Sequence, residues 1–405
     1  MTARGDDGVP APRILLVIAV CFVAANMRPA ITGVGPLLEQ IGPDTGLDVT
    51  GLGVLAAIPL LAWAAFSPLA HGLSGRFGLS PVLLGSMLLL AVGTILRSLV
   101  PAVAGLWIGT ALIGVAIAVI NVLMPAVVRR DFPNRVRGMT SAYSAILGGA
   151  GAVASGLVVP ISHIHANGGE LGWRFALLAV NALLPIAIVL WLASMARERA
   201  RAVPAAAPPA GGPRAARRLW RDPVAWLVTM YFGLQASTFY MLLTWLATIA
   251  VSHGRSEVVA GFDVMLYQLC SIIGSLLLPL LLRGSIVRWA PAIVPVLGVA
   301  AAVGLMLAPA AIPLWAVLFG VSSGASLTMS LTLITERVRD HSLAGALSGM
   351  AQGAGYLVTS VFPIAFGALH DAFGGWFASL GLLAAALLAQ CAVGVFAGRD
   401  RFVFD

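Results

Sequence analysis

The most informative side chain in this sequence is an arginine inside an otherwise apolar segment. Arg28 follows an apolar run that begins at Ile14, and Pro29 comes directly after it. A guanidinium in the middle of a hydrophobic span costs about 2.5–3.5 kcal/mol even on the mildest scale, so it persists where a cavity, a partner or a function offsets that cost. Its planar set of donors suits an anionic or strongly hydrogen-bond-accepting group. Arg28 therefore predicts either a water-facing structural arginine or a solute-binding residue.

No acidic side chain is placed to neutralise Arg28. Glu39 is the one acid in the same predicted helix, and it lies about 16 Å further along at 1.5 Å per residue. Asp263 falls near the outer end of a later helix, and the acids Asp131, Glu336 and Asp340 fall in loops. The positive charge is therefore available for a solute.

Other polar and aromatic side chains recur at helical spacing within apolar segments. Ser348, Gln352 and Tyr356 recur every fourth residue, which gives one helix a polar face that lipid would not tolerate. We expect Arg28 to hold the negative or acceptor end of a solute, with further hydrogen bonds from glutamines and tyrosines and apolar walls from aromatic rings. The predicted solute-binding residues are Arg28, Asn121, Tyr143, Gln235, Phe239, Tyr240, Trp245, Gln268, Gln352 and Tyr356.

Small residues form stripes on two of the predicted helices. One stripe contains Gly345, Gly349 and Gly353, and the other contains Ser144, Gly148, Gly151 and Ser155. Small side chains let membrane helices approach closely. We therefore predict close helix packing along both stripes.

No set of residues expected of an enzyme lies at membrane depth. All six histidines fall at predicted helix ends or in loops, and no glycine-rich phosphate loop is present. The three cysteines are far apart in separate apolar runs, without the spacing of a metal site. We therefore predict neither an enzyme nor a cofactor or metal site.

The composition places these residues in a membrane protein. Of the 405 residues, 60% are apolar and 10% are charged, and the mean hydropathy is +0.97. Runs of about 20 apolar residues, enough to cross a hydrocarbon layer, recur along the whole chain. We predict an all-α membrane protein of twelve transmembrane helices in two pseudo-symmetric six-helix halves. The predicted helices cover residues 13–41, 50–72, 79–98, 102–127, 138–162, 173–195, 223–251, 257–282, 291–309, 312–334, 343–368 and 376–397.

Arginines mark one side of the membrane, because loops that stay in the cytoplasm retain positive charge. The formal charge of +8 comes from arginine alone, since the chain contains no lysine, and most arginines lie near the termini or in alternate loops. Only Arg28, Arg97, Arg174 and Arg255 lie elsewhere. We therefore predict a multi-pass protein of a bacterial inner membrane, with both termini in the cytoplasm and no nucleic-acid partner.

The segment 196–222 divides the predicted helices into two groups of six. It is rich in Ala, Pro, Gly and Arg and lacks apolar periodicity, which is typical of a flexible linker. Pro160 and Pro363 are as far apart in sequence as Trp173 and Trp376, so the two groups look duplicated. We predict an N-terminal half over residues 1–195, a cytoplasmic linker over 196–222 and a C-terminal half over 223–405, with solute bound between the halves.

Several segments together resemble one branch of a transporter superfamily. The resemblance is to the cyanate permease and 2-nitroimidazole transporter branch of the major facilitator superfamily, and it runs along nearly the whole chain. It implies the fold of that superfamily and transport of a small solute, without naming the solute, because substrates in this branch are diverse. The segments are Asn26 to Gly35, Asn121 to Pro125 with Arg130 to Pro133, Gln235 to Tyr240 with Trp245-Leu246, Leu331 to Ile334, Leu347 to Gly353 with Gly355-Tyr356, and His370-Asp371 before Gly375-Trp376.

The combined prediction is a transporter that works by alternating access. Two six-helix halves rock about a central site, where a small polar or anionic solute binds. We expect a monomer in the lipid bilayer, needing no cofactor. Two alternatives remain open: a multidrug-type exporter, which favours an embedded acid for proton exchange, and a membrane sensor that binds solute without passing it.

Overall fold

The chain folds into helices that are long enough to cross a membrane. The computed structural model describes residues 11–166, 168–199, 218–282, 286–339 and 341–404. Within these residues, twelve helices are long and apolar enough to span a membrane, which confirms the predicted number. We number them as spans 1–12: Ile14–Thr45, Val49–Phe77, Leu79–Leu99, Val103–Asp131, Pro133–Ser162, Gly172–Ala196, Pro223–Ser252, Glu257–Leu280, Val287–Leu307, Pro309–Glu336, Leu343–Phe373 and Trp376–Ala397.

The predicted boundaries agree with these spans to within five residues. The larger differences arise where helices continue past the apolar run, as at Asp131 and Phe373, because hydropathy reports the hydrocarbon layer and not the helix. Most of the predicted linker, residues 200–217, lies outside the described residues.

The bundle has two ends that differ in what they carry. Consecutive spans are antiparallel, and within each group of six they are joined by short loops. Odd-numbered spans begin at the end that carries residue 11 and the residues flanking the linker, which we call the linker end. The opposite end carries a small antiparallel hairpin of β1 (His165–Ala166) and β2 (Gly169–Glu170), and we call it the hairpin end.

Among the described residues, three spans are interrupted away from their ends. Span 1 consists of Ala11–Met27, Pro29–Thr32, a 3-10 turn at Gly35–Leu37 and Leu38–Thr45. Span 2 consists of Val49–Phe66, a 3-10 turn at Ser67–Leu69 and Ala70–Phe77, and span 6 of Gly172–Ala179 and Leu184–Arg199. Proline explains the first two interruptions, because it lacks the backbone N–H that a helix interior needs.

The spans differ in how much protein surrounds them. Span 7 is the most enclosed, with 83% of its apolar window buried, whereas the corresponding share for span 11 is 28%. Large apolar side chains such as Leu276 and Leu307 remain mostly exposed on the outside of the bundle. Such exposure is expected of a surface whose solvent is lipid. Span 7 therefore lies at the centre, where residues can face a shared site.

Candidate functional site

The candidate site is built on the interruption in span 1. The first helix ends at Met27, and Arg28 lies in the turn before Pro29, about half way along the span. Beyond the turn, the Val34 N–H bonds to the carbonyl of Ile31 and not to that of Ala30. Pro36 has no N–H to offer the carbonyl of Thr32. Two backbone carbonyls are thus freed just after Arg28.

Side chains from neighbouring spans satisfy both freed carbonyls. Arg97 of span 3 donates from Nη1 to the Ala30 oxygen at 2.7 Å. Ser155 of span 5 donates from its hydroxyl to the Thr32 oxygen at 3.0 Å. In a membrane, buried carbonyls must find donors within the protein. The break is therefore held from two sides.

Arg28 lies against aromatic side chains of span 7. Its guanidinium carbon is 5.6 Å from the centre of the Phe239 ring, within the range of a cation–π contact. The Phe239 ring in turn contacts the Tyr240 ring edge-on, at 5.1 Å between ring centres. In the part of the chain that the structure describes, no acidic side chain forms an ion pair with Arg28.

The aromatic rings continue as a connected wall. Tyr240 contacts Trp63 of span 2 edge-on at 5.9 Å, and Trp63 contacts Tyr356 of span 11 at 5.0 Å between ring centres. Phe239 lies 5.7 Å from Tyr267 of span 8. Spans 2, 7, 8 and 11 thus supply one aromatic surface beside the Arg28 guanidinium. Such a surface suits a small planar solute with an electron-rich end.

Two of the predicted residues support Arg28 from span 5 and span 8. The Tyr143 hydroxyl lies 3.2 Å from the sulfur of Met27, the residue before Arg28. Gln268 donates from Nε2 to the Ser155 hydroxyl at 2.6 Å. A Cβ on Gly151 would lie 3.0 Å from the Cβ of Arg28, so glycine lets span 5 approach the break closely. These residues lie beside the cation.

Other predicted residues lie apart from Arg28 or face elsewhere. Gln235 is buried and donates to the Ser323 carbonyl of span 10 at 3.4 Å. Trp245 is fully buried; it stacks on Phe366 at 6.1 Å between ring centres and donates to the Pro363 carbonyl. Trp245 therefore packs spans 7 and 11 together nearer the hairpin end.

Asn121 and Gln352 are both partly exposed. Gln352 donates from Nε2 to the hydroxyl of Ser348, one turn earlier on span 11, at 3.0 Å. The polar face predicted for span 11 is therefore hydrogen-bonded along itself, on the linker side of Tyr356.

Three residues of this site were missing from the set predicted from sequence. Tyr267 and Trp63 are uncharged, and single aromatic residues are common in apolar spans, so nothing in the sequence marks these two as site residues. Arg97 falls inside the predicted helix 79–98, two residues from the end of span 3, but it is not among the predicted solute-binding residues. The structure buries it to 1% exposure. A charge so close to a run of apolar residues is the one signal that could have identified it.

The interface between spans 1–6 and spans 7–12, which we call the seam, is closed at the hairpin end. Gln40 of span 1 donates to Glu257 of span 8 at 2.7 Å, and the same carboxylate is 3.4 Å from His163. Asp371 of span 11 accepts hydrogen bonds from the backbone N–H and hydroxyl of Thr50 at 2.7 and 2.6 Å. Closure there isolates the aromatic wall from that side.

The linker end of the same seam is open. Gly345, Gly349 and Gly353 have no atom within 4 Å of the position a Cβ would occupy, and the same holds for Gly72 and Gly75 of span 2. The predicted close packing of the span 11 glycines is therefore wrong in this conformation. On span 5 the prediction fits better, since Gly148 and Gly151 both meet neighbouring side chains.

Metal binding finds no support in the described part of the chain. No three histidine, cysteine or acidic side chains are grouped there in a way that could hold a metal ion. The three cysteines are free thiols on separate spans.

Comparison with known proteins gives consistent matches over nearly the full length. Residues 15–363 match the family model of the Major Facilitator Superfamily. The chain is 38% identical over 398 residues to a 2-nitroimidazole transporter of Escherichia coli (strain K12), covering 96% of each chain. It is 29% identical over 391 residues to the cyanate transport protein CynX of the same organism, covering 96% of this chain and 97% of the relative.

Among solved structures, a bacterial homologue of the human lysosomal transporter Spinster, in an inward-facing and unoccupied conformation, is similar in fold. The TM-score is 0.76 at 17% sequence identity, and the match covers 96% of this chain and 95% of the other.

Proposed function

Because the chain belongs to the Major Facilitator Superfamily, we propose that Arg28 is the residue with which this transporter holds its solute. The chain is a membrane transporter of small solutes and not an enzyme. The solute class we propose is a small planar molecule with an anionic or strongly hydrogen-bond-accepting group. The single observation that carries this proposal is a mid-span guanidinium with no acidic partner among the described residues, set against an aromatic wall.

The chemistry of the wall narrows the solute class. A guanidinium offers parallel N–H donors in one plane, which fit two oxygens of a carboxylate or nitro group. Phe239 and Tyr240 lie beside those donors, so a flat ring or a short linear anion can lie against them. A 2-nitroimidazole transporter and a cyanate transport protein are among the relatives of this chain. Both named solutes are small and planar or linear, with terminal acceptor atoms.

We assign roles to the predicted residues according to where they lie. Arg28, Phe239, Tyr240 and Tyr356 contact the solute, and Tyr143 and Gln268 hold the break that carries Arg28. Asn121 and Gln352 line the approach from the linker end, where side chains are partly exposed. Gln235 and Trp245 support the wall through spans 10 and 11 without contacting solute.

Solute moves across the membrane when the two ends of the seam open and close in alternation. The halves 1–195 and 223–405, joined by the linker 196–222, rock about the central site. In the present conformation the hairpin end is closed and the linker end is open. Rocking that opens the first and closes the second delivers the solute to the other side.

The linker end faces the cytoplasm in this proposal, so both termini are cytoplasmic. Exposed arginines are concentrated there, whereas the arginines at or beside the described hairpin-end loops are Arg255 and Arg174, the latter in the first turn of span 6. Single cysteines at Asn134 and Gly169 in a cysteine-free background test the assignment. Asn134 should be labelled from the cytoplasm and Gly169 from the outside; the reverse pattern contradicts the orientation.

The solute class is tested by binding. The purified protein is screened by thermal shift against 2-nitroimidazole, cyanate and benzoate, since a ligand stabilises the state it binds. The best of these is then titrated by calorimetry into wild type, Arg28→Ala and Arg28→Lys. Loss of a charged hydrogen-bond partner costs about 1.5–3 kcal/mol, so Arg28→Ala should bind about ten- to a hundredfold more weakly. Arg28→Lys keeps the charge but loses the planar fork, so it should fall in between.

A matched control separates the site from a general effect of arginine. Arg288 also lies 5.6 Å from an aromatic ring, that of Trp289, but it is exposed at the linker end. Arg288→Ala should leave the affinity unchanged. Unchanged affinity in Arg28→Ala would reduce Arg28 to a structural residue, and saturable binding without flux in proteoliposomes would favour a sensor.

A further inference from the structure

Arg97 is a second buried arginine at the break in span 1, on another side of it from the aromatic wall. It is 1% exposed and lies two residues before the end of span 3. Span 4 packs against the backbone of span 3 at this position, because a Cβ on Gly109 would lie 2.6 Å from the backbone nitrogen of Arg97. Burying a charge in this way costs free energy, so a buried arginine is expected to have a structural or functional role that offsets the cost.

Within the described residues, Arg97 has a single hydrogen bond. Nη1 donates to the Ala30 carbonyl at 2.7 Å, whereas Nε and Nη2 have no partner. The nearby hydroxyl of Thr110 also has none. A cavity of about 20 Å³ lined by Arg97, Thr110 and Tyr240 has room for about one water molecule. The hydrogen bond to the Ala30 carbonyl is therefore the one with good geometry in this arrangement.

The Ala30 carbonyl lies two residues after Arg28, and the backbone leaves it without a donor. Its normal helical partner, the Val34 N–H, bonds to Ile31 instead. Without Arg97 that carbonyl would be buried unsatisfied, and the chain would be driven to rebuild the missing helical bond. Rebuilding it would rotate the turn that carries Arg28.

We propose that Arg97 is a positioning residue, which fixes the break in span 1 and thereby directs the Arg28 side chain toward the aromatic wall. Arg97 does not contact solute in this role. The proposal deepens the proposed function and rests on it for the consequence for binding, whereas the geometry of the break is testable without any solute. Tyr240 lines the Arg97 cavity and contacts Phe239, the ring that Arg28 lies against, so the two arginines adjoin neighbouring side chains of span 7.

The first experiment needs no ligand. Arg28→Cys is made in a background without Cys21, Cys270 and Cys391, and its modification rate by a water-soluble methanethiosulfonate reagent is measured. Adding Arg97→Met should lower that rate at least fivefold, because the side chain at position 28 turns away from the open cavity. Adding Arg97→Lys, which keeps a charge and a donor, should leave the rate within twofold.

Arg174 provides the matched control. It too donates to backbone carbonyls, those of Val100 and Pro101, but these belong to the loop after span 3 and not to the break. Arg174→Met should leave the modification rate at position 28 unchanged. A fall equal to that caused by Arg97→Met would show a general loosening of the hairpin end and would overturn the proposal.

The second experiment measures affinity for whichever of 2-nitroimidazole, cyanate and benzoate binds wild type most tightly. Arg97→Met should weaken binding about tenfold with its melting temperature kept, and Arg97→Lys should restore most of the affinity. If Arg97 acts through Arg28, the effect of Arg97→Met shrinks to less than threefold in an Arg28→Lys background.

The outcomes separate the two proposals. Wild-type labelling and wild-type affinity in Arg97→Met overturn the positioning role. Affinity that falls in both Arg97→Met and Arg97→Lys in step with melting temperature also overturns it, because that pattern marks a purely structural residue. Changed labelling together with wild-type binding in Arg28→Ala would sustain the positioning role and reject Arg28 as the solute contact.

Discussion

At the hairpin end, side chains of the two halves meet through hydrogen bonds, whereas at the linker end the glycines that border the seam meet nothing. Gln40 bonds to Glu257 and Thr50 to Asp371 at the first end. Gly349 and Gly75 have open space at the second. The two regions belong to the same pair of halves, so one end of a continuous seam is closed while the other is open.

The contacts at the two ends indicate what must change for the hairpin end to open and the linker end to close. The polar contacts across the hairpin end are few, and those at Thr50 and Asp371 are exposed to water. Exposed polar contacts contribute little net stability, because water replaces them when they break. Spans 2 and 11 also pack closely there, since a Cβ on Gly53 would lie 2.5 Å from the Pro363 carbonyl. Closure therefore rests on packing as well as on polar contacts. Glycines on spans 2 and 11 leave room for the linker end to close in turn.

The largest expected effect comes from filling the closed end. A Cβ on Gly53 would lie 2.5 Å from the Pro363 carbonyl, and backbone cannot rotate away as a side chain can. Gly53→Val should therefore force spans 2 and 11 apart at the hairpin end. A cysteine in place of buried Thr244, one turn from Tyr240 toward that end, should react at least tenfold faster with reagent added on the hairpin side.

A substitution at the open end calibrates that result. Gly349→Ala adds one carbon where nothing lies within 4 Å, so it should leave labelling at position 244 within twofold. Equal acceleration in Gly53→Val and Gly349→Ala would mean that any change in the seam opens the hairpin end. The contrast between the two ends would then be lost.

A smaller effect is expected from removing one polar contact at the hairpin end. Glu257→Gln loses the charge that faces His163 while keeping an acceptor for Gln40. Because exposed ion pairs contribute up to about 1 kcal/mol, labelling at position 244 should rise about two- to fivefold. Glu336→Gln at the linker end is the control and should change nothing. An unchanged rate in Glu257→Gln would show that packing alone holds the hairpin end closed.

The last prediction compares how much single ion pairs at the two ends stabilise the protein. Asp263 is 4% exposed and takes two hydrogen bonds from Arg255, at 2.6 and 3.0 Å. Its loss in Asp263→Asn should cost about 1.5–3 kcal/mol. Asp131 pairs with adjacent Arg130 at the partly exposed linker end, so Asp131→Asn should cost less than about 1 kcal/mol. Equal shifts in melting temperature for the two variants would contradict this ranking.

The sequence alone identifies the residue at the centre of the candidate site but not all of the residues around it. Arg28 was identifiable because a charge inside an apolar run is unusual whatever surrounds it. Phe239 and Tyr240, next to each other in span 7, accompany it in the structure. Trp245 lies only five residues from Tyr240, yet it packs against Phe366 and Trp376, since helical rotation and packing assign it to another neighbour.

The number of the spans, their limits to within five residues and the excess of arginine at one end were determined by sequence alone. Each is a local property: a hydrocarbon layer needs a run of about 20 apolar residues, and most charges lie outside it.

Which side chains meet was decided only by the tertiary structure. Lipid is as apolar as the interior of the bundle, so hydropathy does not mark the face of a span that turns inward. The burial of Arg97 against Ala30, the position of Trp63 between two tyrosines and the open space at Gly349 all depend on how spans rotate and pack. They depend as well on which end of the seam is closed, because the same sequence must be able to adopt both the conformation with the hairpin end closed and the opposite one.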